Sequence, residues 1–60
     1  DYEAVRDKVV EYLRAKGQGG TPELRDHLKT SRKNAILWLE QLDRDRVTYL
    51  KDNARRLFRP

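Results

Sequence analysis

The chain has 60 residues, enough for one small domain, and its 14 Lys and Arg exceed its 10 Asp and Glu to give a formal net charge of +4. It has no Cys and one His, which excludes disulfides and leaves no residue set for a metal site or a nucleophile–base pair. No apolar run approaches the roughly 18 residues of a membrane span. We therefore expect neither enzymatic activity nor membrane insertion. Only 37% of residues are hydrophobic, but they recur periodically, which favours a compact fold over disorder.

Two helices are predicted in the first half of the chain. Residues 2–16 form an amphipathic pattern in which Val5, Val9, Tyr12 and Leu13 recur at helical spacing, and the glycines that follow end the helix. A second, short helix is predicted to start with Thr21 as its N-cap and Pro22 at its first helical position, and to end near Leu28. His27 is interpreted as a half-exposed surface residue of this helix.

A third helix is predicted for about residues 32–45, with Ser31 as its N-cap. At 100° per residue, one face collects the residues expected in the core, namely Ala35, Trp38, Leu39 and Leu42. The opposite face collects Lys33, Leu37, Gln41 and Arg44.

The pattern after the third helix changes to that of a β-hairpin. "RVTYLK" alternates like a short strand, "DNA" (Asp52-Asn53-Ala54) is typical of a turn, and "RRLFR" returns as a second strand. Gly19-Gly20 is expected to be a strand stub that pairs with the hairpin. Three helices followed by a hairpin predict one α+β domain over residues 1–60, a winged helix with a helix-turn-helix core and a hairpin wing.

The charges of the third helix oppose its dipole. Lys29, Arg32 and Lys33 lie at its start, and Asp43 and Asp45 lie at its end. Each misplaced charge costs about 0.3–1 kcal/mol at low salt. A phosphate group would offset the cost at the start, because free N–H groups and two or three cations together form an anion site. The alternative is that Arg32 and Lys33 point into water and a Glu40–Arg44 pair offsets the cost.

A second basic cluster lies in the predicted wing. Four cations, Lys51, Arg55, Arg56 and Arg59, face a single acidic residue, Asp52. Two basic clusters in one small domain indicate a polyanionic partner. We expect both clusters to lie on one surface, with the wing beside the start of the third helix.

The outer face of the third helix bears on the kind of nucleic acid. Ile36 and Leu37 are apolar, so only Arg32, Lys33 and Asn34 at the tip suit contact with bases or phosphates. A looped RNA fits such a compact site better than a long DNA groove. Two alternatives stay open: a DNA-binding regulator domain, and a winged helix that binds protein through Ile36 and Leu37.

The segment "TPELRDHLKTSRKNAILWLEQLDRDRVTYLKDNARRLFRP" resembles the last winged-helix module of the bacterial selenocysteine-specific elongation factor. The matching stretches are Leu24-Arg25-Asp26, Thr30 to Lys33, Ala35, Leu39-Glu40, Asp43-Arg44, Val47-Thr48 and Lys51 to Arg56. The chain departs from the family at Asn34, where an aromatic residue is frequent, at Leu37, where Pro is frequent, and at Trp38, where Leu is frequent.

The resemblance implies a non-enzymatic module that grips the mRNA hairpin (SECIS) recoding UGA as selenocysteine. The family's positions and the basic clusters give the expected RNA-binding residues: Arg25, Lys29, Thr30, Ser31, Arg32, Lys33, Asn34, Lys51, Arg55 and Arg56. The chain, which begins at Asp1 without Met, is then expected to be a fragment of a cytoplasmic translation factor. That factor would carry preceding winged-helix modules and a GTP-binding domain and would act on the ribosome. No cofactor is expected in the fragment itself.

Overall fold

The structure, a computed structural model, describes residues 1–58, so the predicted contribution of Arg59 lies outside the described residues. The elements in chain order are helix α1 (Tyr2–Lys16), strand β1 (Gly19–Gly20), helix α2 (Thr21–Leu28), helix α3 (Arg32–Arg44), and strands β2 (Thr48–Lys51) and β3 (Ala54–Leu57). Three helices followed by an antiparallel hairpin confirm the predicted α+β winged-helix arrangement.

The ends of α1 and α3 follow local sequence signals. Asp1 caps α1 by accepting a hydrogen bond from the Ala4 amide at 2.9 Å, and Gly17 ends the helix at φ 84°, a conformation that glycine adopts without strain. At α3, the Ser31 hydroxyl accepts a hydrogen bond from the Asn34 amide at 3.2 Å. The predicted N-cap of α3 is therefore confirmed.

The predicted N-cap of α2 is wrong by one residue. Gly20 occupies the cap position without a side-chain hydrogen bond, and Thr21 is already helical. The Thr21 hydroxyl instead accepts a hydrogen bond from Arg55 Nη1 at 3.3 Å, across 34 residues of sequence. The Thr21 hydroxyl oxygen, predicted to cap α2, is therefore used in a contact with a residue distant in sequence. Pro22, predicted at the first helical position, is shifted in the same way and is the second residue of the helix.

The core is formed by one face from each helix. Its fully or almost fully buried side chains are Val9, Leu13, Leu24, Ala35, Leu39 and Leu42. Burying each Leu or Val contributes about 1.5–3 kcal/mol. Trp38, predicted to share this core, is only half-buried. Its ring lies at the margin against Tyr2, with the two ring centroids 6.2 Å apart.

The sheet is antiparallel with the order β1-β3-β2, which confirms that Gly19-Gly20 pairs with the hairpin. The hairpin turn comprises Asp52 and Asn53, both at positive φ (53° and 65°), as in the tight two-residue turns that join β-strands. Ala54, predicted in the turn, already belongs to β3. Gly19 lets the strand approach α1 closely, since a Cβ there would lie 2.7 Å from Tyr12 Cε1 and would have to displace the ring.

The acidic end of α3 has structural partners. Asp43 accepts hydrogen bonds from Thr48 Oγ1 at 2.6 Å and from Arg55 Nη2 at 2.9 Å, and Asp45 accepts one from the Tyr2 hydroxyl. These carboxylates therefore tie α3 to β2, β3 and α1. The Glu40–Arg44 pair considered above does not form among the described residues, since Arg44 donates to Gln41 Oε1 at 2.9 Å instead.

The Tyr2–Asp45 contact predicts a pH-dependent contribution to stability. The Tyr2 hydrogen bond, followed by one from Gln41, lowers the pKa of Asp45 below its ordinary 3.8. The contact therefore stabilises the fold above about pH 4, and this contribution is lost as pH falls through the lowered pKa. We expect Tyr2→Phe to lower the Tm at pH 7, and the difference from the parent to shrink at about pH 2.5. A constant difference in Tm at both pH values would contradict this linkage.

Candidate nucleic-acid interface

The start of α3 is an exposed, positively charged helix end. Ser31, Arg32, Lys33 and Asn34 are all exposed, and the first turn contains no acidic residue. The Ser31 cap engages the Asn34 amide, while the amides of Arg32 and Lys33 belong to the first turn, whose N–H groups have no intrahelical acceptor. These N–H groups, the helix dipole and two cations give the tip the properties of an anion site.

A small cavity adjoins this helix start. It has a volume of about 140 Å³ and is lined by Thr21, Pro22, Arg25 and Arg32, so one arginine from α2 and one from α3 border the same cavity. Arg25 Nη2 lies 3.1 Å from Asp26 Oδ1, but this pair is solvent-exposed. Exposed pairs contribute only about 0–1 kcal/mol, so an incoming anion can compete with Asp26 for Arg25.

The turn between α2 and α3 supplies a third exposed cation. Lys29 ends α2 in the left-handed conformation at φ 55°, and its amide donates to the Asp26 carbonyl at 3.2 Å. Thr30 is half-buried and donates its amide to the Arg25 carbonyl at 3.4 Å. The turn thus places the exposed side chain of Lys29 three residues before Arg32, with Thr30 and Ser31 between them.

Arg55 requires a correction. Sequence reasoning assigned it to the exposed basic cluster of the wing, but only 6% of its surface is exposed. Its Nη2 lies 2.9 Å from Asp43 Oδ2, and its Nη1 donates to Thr21. Arg55 therefore anchors the central strand to α2 and α3, and its charge is not available to a partner in this fold.

The other wing cations are exposed but differ in location. Arg56 follows Arg55 on the strand and so projects from the opposite face of the sheet. Its Nη2 donates to Gln18 Oε1 at 2.8 Å, beyond the end of α1. Lys51 is exposed at the end of β2, next to the hairpin turn. The structure thus brings Arg25 and Arg32 to one cavity, but it buries Arg55 and places Arg56 beside the end of α1. The expectation that the two basic clusters share one surface is therefore wrong for Arg55 and Arg56.

Comparison with protein families bears directly on this site. The family model described as "Elongation factor SelB, winged helix" matches residues 11–57. The chain belongs to the SelB winged-helix family. The matched range includes α2, α3, the wing and every residue that sequence analysis assigned to RNA binding. No curated protein and no solved structure matches the chain significantly.

The SelB winged helix has a further surface that sequence reasoning did not define. An open groove of about 430 Å³ runs along the outer face of α3, lined by Asn34, Leu37, Trp38, Gln41 and Arg44. The helical periodicity predicted part of this groove, because it placed Leu37, Gln41 and Arg44 on the outward face of the third helix. Trp38 was missed there because its helical position indicated the core.

The described residues offer few other sites for chemistry. They contain no group of three or more His, Cys, Asp or Glu side chains placed to hold a metal ion. His27 Nε2 lies 3.9 Å from Glu11 Oε1, and its ring stacks obliquely on Tyr12 with centroids 5.1 Å apart. Within the part of the chain that the structure describes, no helix is both long enough and apolar enough to cross a membrane.

Proposed function

We propose that this SelB winged helix binds the mRNA hairpin that directs selenocysteine insertion, and that it does so at the start of α3. The observation that carries the proposal is the exposed helix tip, where Ser31 caps the chain, Arg32 and Lys33 project, and no acidic residue follows in the first turn. Family membership supports the same reading, since the chain matches a domain of an elongation factor.

Each group at the tip has a distinct part in RNA binding. Lys33 and the free amides of the first turn bind phosphate oxygens, and Lys29 extends the charge toward α2. Arg25 and Arg32 share one cavity, so a phosphate or a splayed base at that point contacts both guanidinium groups. Thr30 and Ser31 contact the RNA backbone, and the side-chain amide of Asn34 contacts a base edge. Lys51 lies on the wing as a further phosphate contact.

RNA is favoured over duplex DNA by the outer face of α3. Leu37, in the middle of that face, is 56% exposed, and Trp38 and Leu37 together form an apolar segment of the groove. A helix that reads the major groove presents polar side chains along its length. Contacts confined to the tip suit a compact hairpin loop.

In the complete factor the module serves as a tether. The winged helix is a binding module, and chemistry is assigned to a GTP-binding domain elsewhere in a cytoplasmic translation factor. Preceding winged-helix modules connect the two, so that binding of the hairpin holds the factor on the message near the ribosome. The GTP cofactor, these intramolecular partners and the cytoplasmic location all rest on family membership and belong to the proposal.

Arg32→Ala tests the proposal. We expect it to weaken binding of a bacterial selenocysteine-insertion hairpin about tenfold, because one charge-assisted contact of about 1.4 kcal/mol is lost. Arg6→Ala is the matched control, since Arg6 is a partly exposed arginine paired with Asp7 on α1. Fluorescence anisotropy with labelled hairpin measures both. Equal losses for the two variants would contradict the assignment of the site.

Lys33→Ala and a DNA competitor complete the experiment. Loss of one phosphate contact lowers the slope of log K against log salt by about 0.7–0.9. Duplex DNA of equal length, titrated at the same salt, separates the proposal from a DNA-binding role. DNA binding as tight as hairpin binding would overturn it. Absence of RNA binding would favour a protein partner at the Leu37–Trp38 groove.

A further inference from the structure

A second basic surface lies away from the start of α3. The register of the wing pairs Arg56 with Tyr49, and the burial of Arg55 on one face of β3 turns Arg56 toward the other. There Arg56 meets the C-terminal end of α1. We call the four residues Arg14, Lys16, Tyr49 and Arg56 the α1–wing patch.

Two adjoining cavities show how the patch is built. One, of about 310 Å³, is lined by Leu13, Arg14, Gly17, Tyr49, Arg56 and Leu57. The other, of about 260 Å³, is lined by Lys16, Gly17, Gln18 and Arg56. Arg56 and Gly17 belong to both. The structure therefore brings three cations around one glycine, although about 40 residues of sequence separate Arg14 and Lys16 from Arg56.

The cations of the patch have no acidic partner among the described residues. No carboxylate in the described part of the chain lies within 4 Å of these cations, although Arg14 also lines a cavity on α1 with Asp7 and Glu11. None of the residues lining the two patch cavities is acidic, and Arg56 donates to the neutral amide oxygen of Gln18 at 2.8 Å. By contrast, Arg6, Arg25 and Arg55 each lie within 4 Å of an Asp carboxylate. Arg14 and Lys16 do complement the dipole at the end of α1. That helix effect does not account for Arg56, which comes from the wing.

Tyr49 adds an aromatic surface to the charge. It is 37% exposed and lies directly across the strand pair from Arg56, within side-chain contact range. The ring of Phe58 meets it edge-on, with centroids 6.1 Å apart and planes at 90°. Exposed aromatic rings interleaved with cations are the combination that binds single-stranded nucleic acid, through stacked bases and paired phosphates.

We propose that the α1–wing patch is a second RNA-binding surface, which takes a single-stranded segment with a base stacked on Tyr49 and its phosphates on Arg14, Lys16 and Arg56. The surface is separate from the start of α3, so the proposal stands or falls independently of hairpin binding. In a message, the single strand flanking a hairpin is RNA of this kind.

The test uses a single-stranded oligoadenylate of ten nucleotides, which forms no hairpin, as the probe. We expect Tyr49→Leu to weaken its binding about tenfold, because base–aromatic stacking is lost while the apolar contact with Phe58 is kept. The triple variant Arg14→Gln/Lys16→Gln/Arg56→Gln should lower the slope of log K against log salt by about 2, at roughly 0.7 per phosphate contact. Arg6→Gln is the control, because Arg6 lies on α1 outside both RNA-binding surfaces and pairs with Asp7, and it should change oligoadenylate affinity less than twofold.

Two further measurements separate the possible outcomes. Inorganic polyphosphate of equal charge should bind with no dependence on Tyr49, since it has no base to stack. In NMR titrations with oligoadenylate, the amides of Gly17, Tyr49 and Arg56 should shift more than those of Arg32 and Lys33. Oligoadenylate affinity that depends on Arg32 and not on Tyr49 or Arg56 would overturn the proposal, as would the absence of binding. Neither result would affect the assignment of the hairpin site.

Discussion

Arg55→Ala is expected to lower the free energy of unfolding by about 2–4 kcal/mol. Removing one member of a buried ion pair leaves the other charge without a partner, at a cost of about 3–5 kcal/mol when both are fully buried. Asp43 retains some solvent contact, with 28% of its side chain exposed, which reduces the effect. A domain of 60 residues has a total stability of about 3–9 kcal/mol, so the variant is expected to be partly unfolded at 37 °C.

Arg56→Ala provides the matched control for that variant. It removes the same side chain from the next position of the same strand, where the guanidinium is exposed and contacts only a neutral amide. We expect a change within about 0.5 kcal/mol. Urea titration followed by Trp38 fluorescence measures both variants. Equal stability of the two would contradict the structural role of the Arg55–Asp43 pair.

The second large effect concerns RNA affinity. The double variant Arg25→Ala/Arg32→Ala is expected to weaken hairpin binding about a hundredfold, or about 2.7 kcal/mol, because the cavity that the two arginines share loses both guanidinium groups. Both side chains are at least partly exposed, so the fold should keep its Tm.

A double-mutant cycle sharpens this prediction. If both arginines contact the same RNA group, the sum of the single losses will differ from the loss in the double variant by about 0.5–3 kcal/mol. Arg32→Ala paired with Lys51→Ala is the comparison, since Lys51 lies on the wing and does not line the cavity. Strict additivity of the Arg25 and Arg32 effects would show that the two side chains act on separate groups.

The elements of the fold could be predicted because their signals are local. The helix start at Ser31, the helix stop at Gly17 and the turn at Asp52-Asn53 each depend on a few neighbouring residues. In the structure the Ser31 side chain makes the expected capping hydrogen bond, and Gly17, Asp52 and Asn53 have the positive φ angles that these residue types tolerate. Trp38 shows the limit of periodicity. Its angular position favoured the core, but the Trp38 ring is only half-buried and lies at the margin beside the ring of Tyr2.

The basic cluster of the wing could not be resolved from sequence. Alternation along β3 predicts that Arg55 and Arg56 face opposite ways, but not which of them faces inward. That choice depends on Asp43 and Thr21, which lie 12 and 34 residues away on two helices. Because Arg55 faces inward, Arg56 faces outward and lies near Arg14 and Lys16 of α1. Sequence analysis assigned no role to these two residues.

The charges on α3 are distributed unevenly between the two ends of the helix. Exposed cations and the positive pole of the helix lie together at one tip, while the carboxylates at the other end are occupied by Arg55 and by the Tyr2 hydroxyl. A polyanion within about 8–10 Å therefore exerts a torque that turns this tip toward it before contact. If the module binds RNA as proposed, encounters with RNA are expected to be oriented on approach, and the on-rate is expected to fall as salt is added.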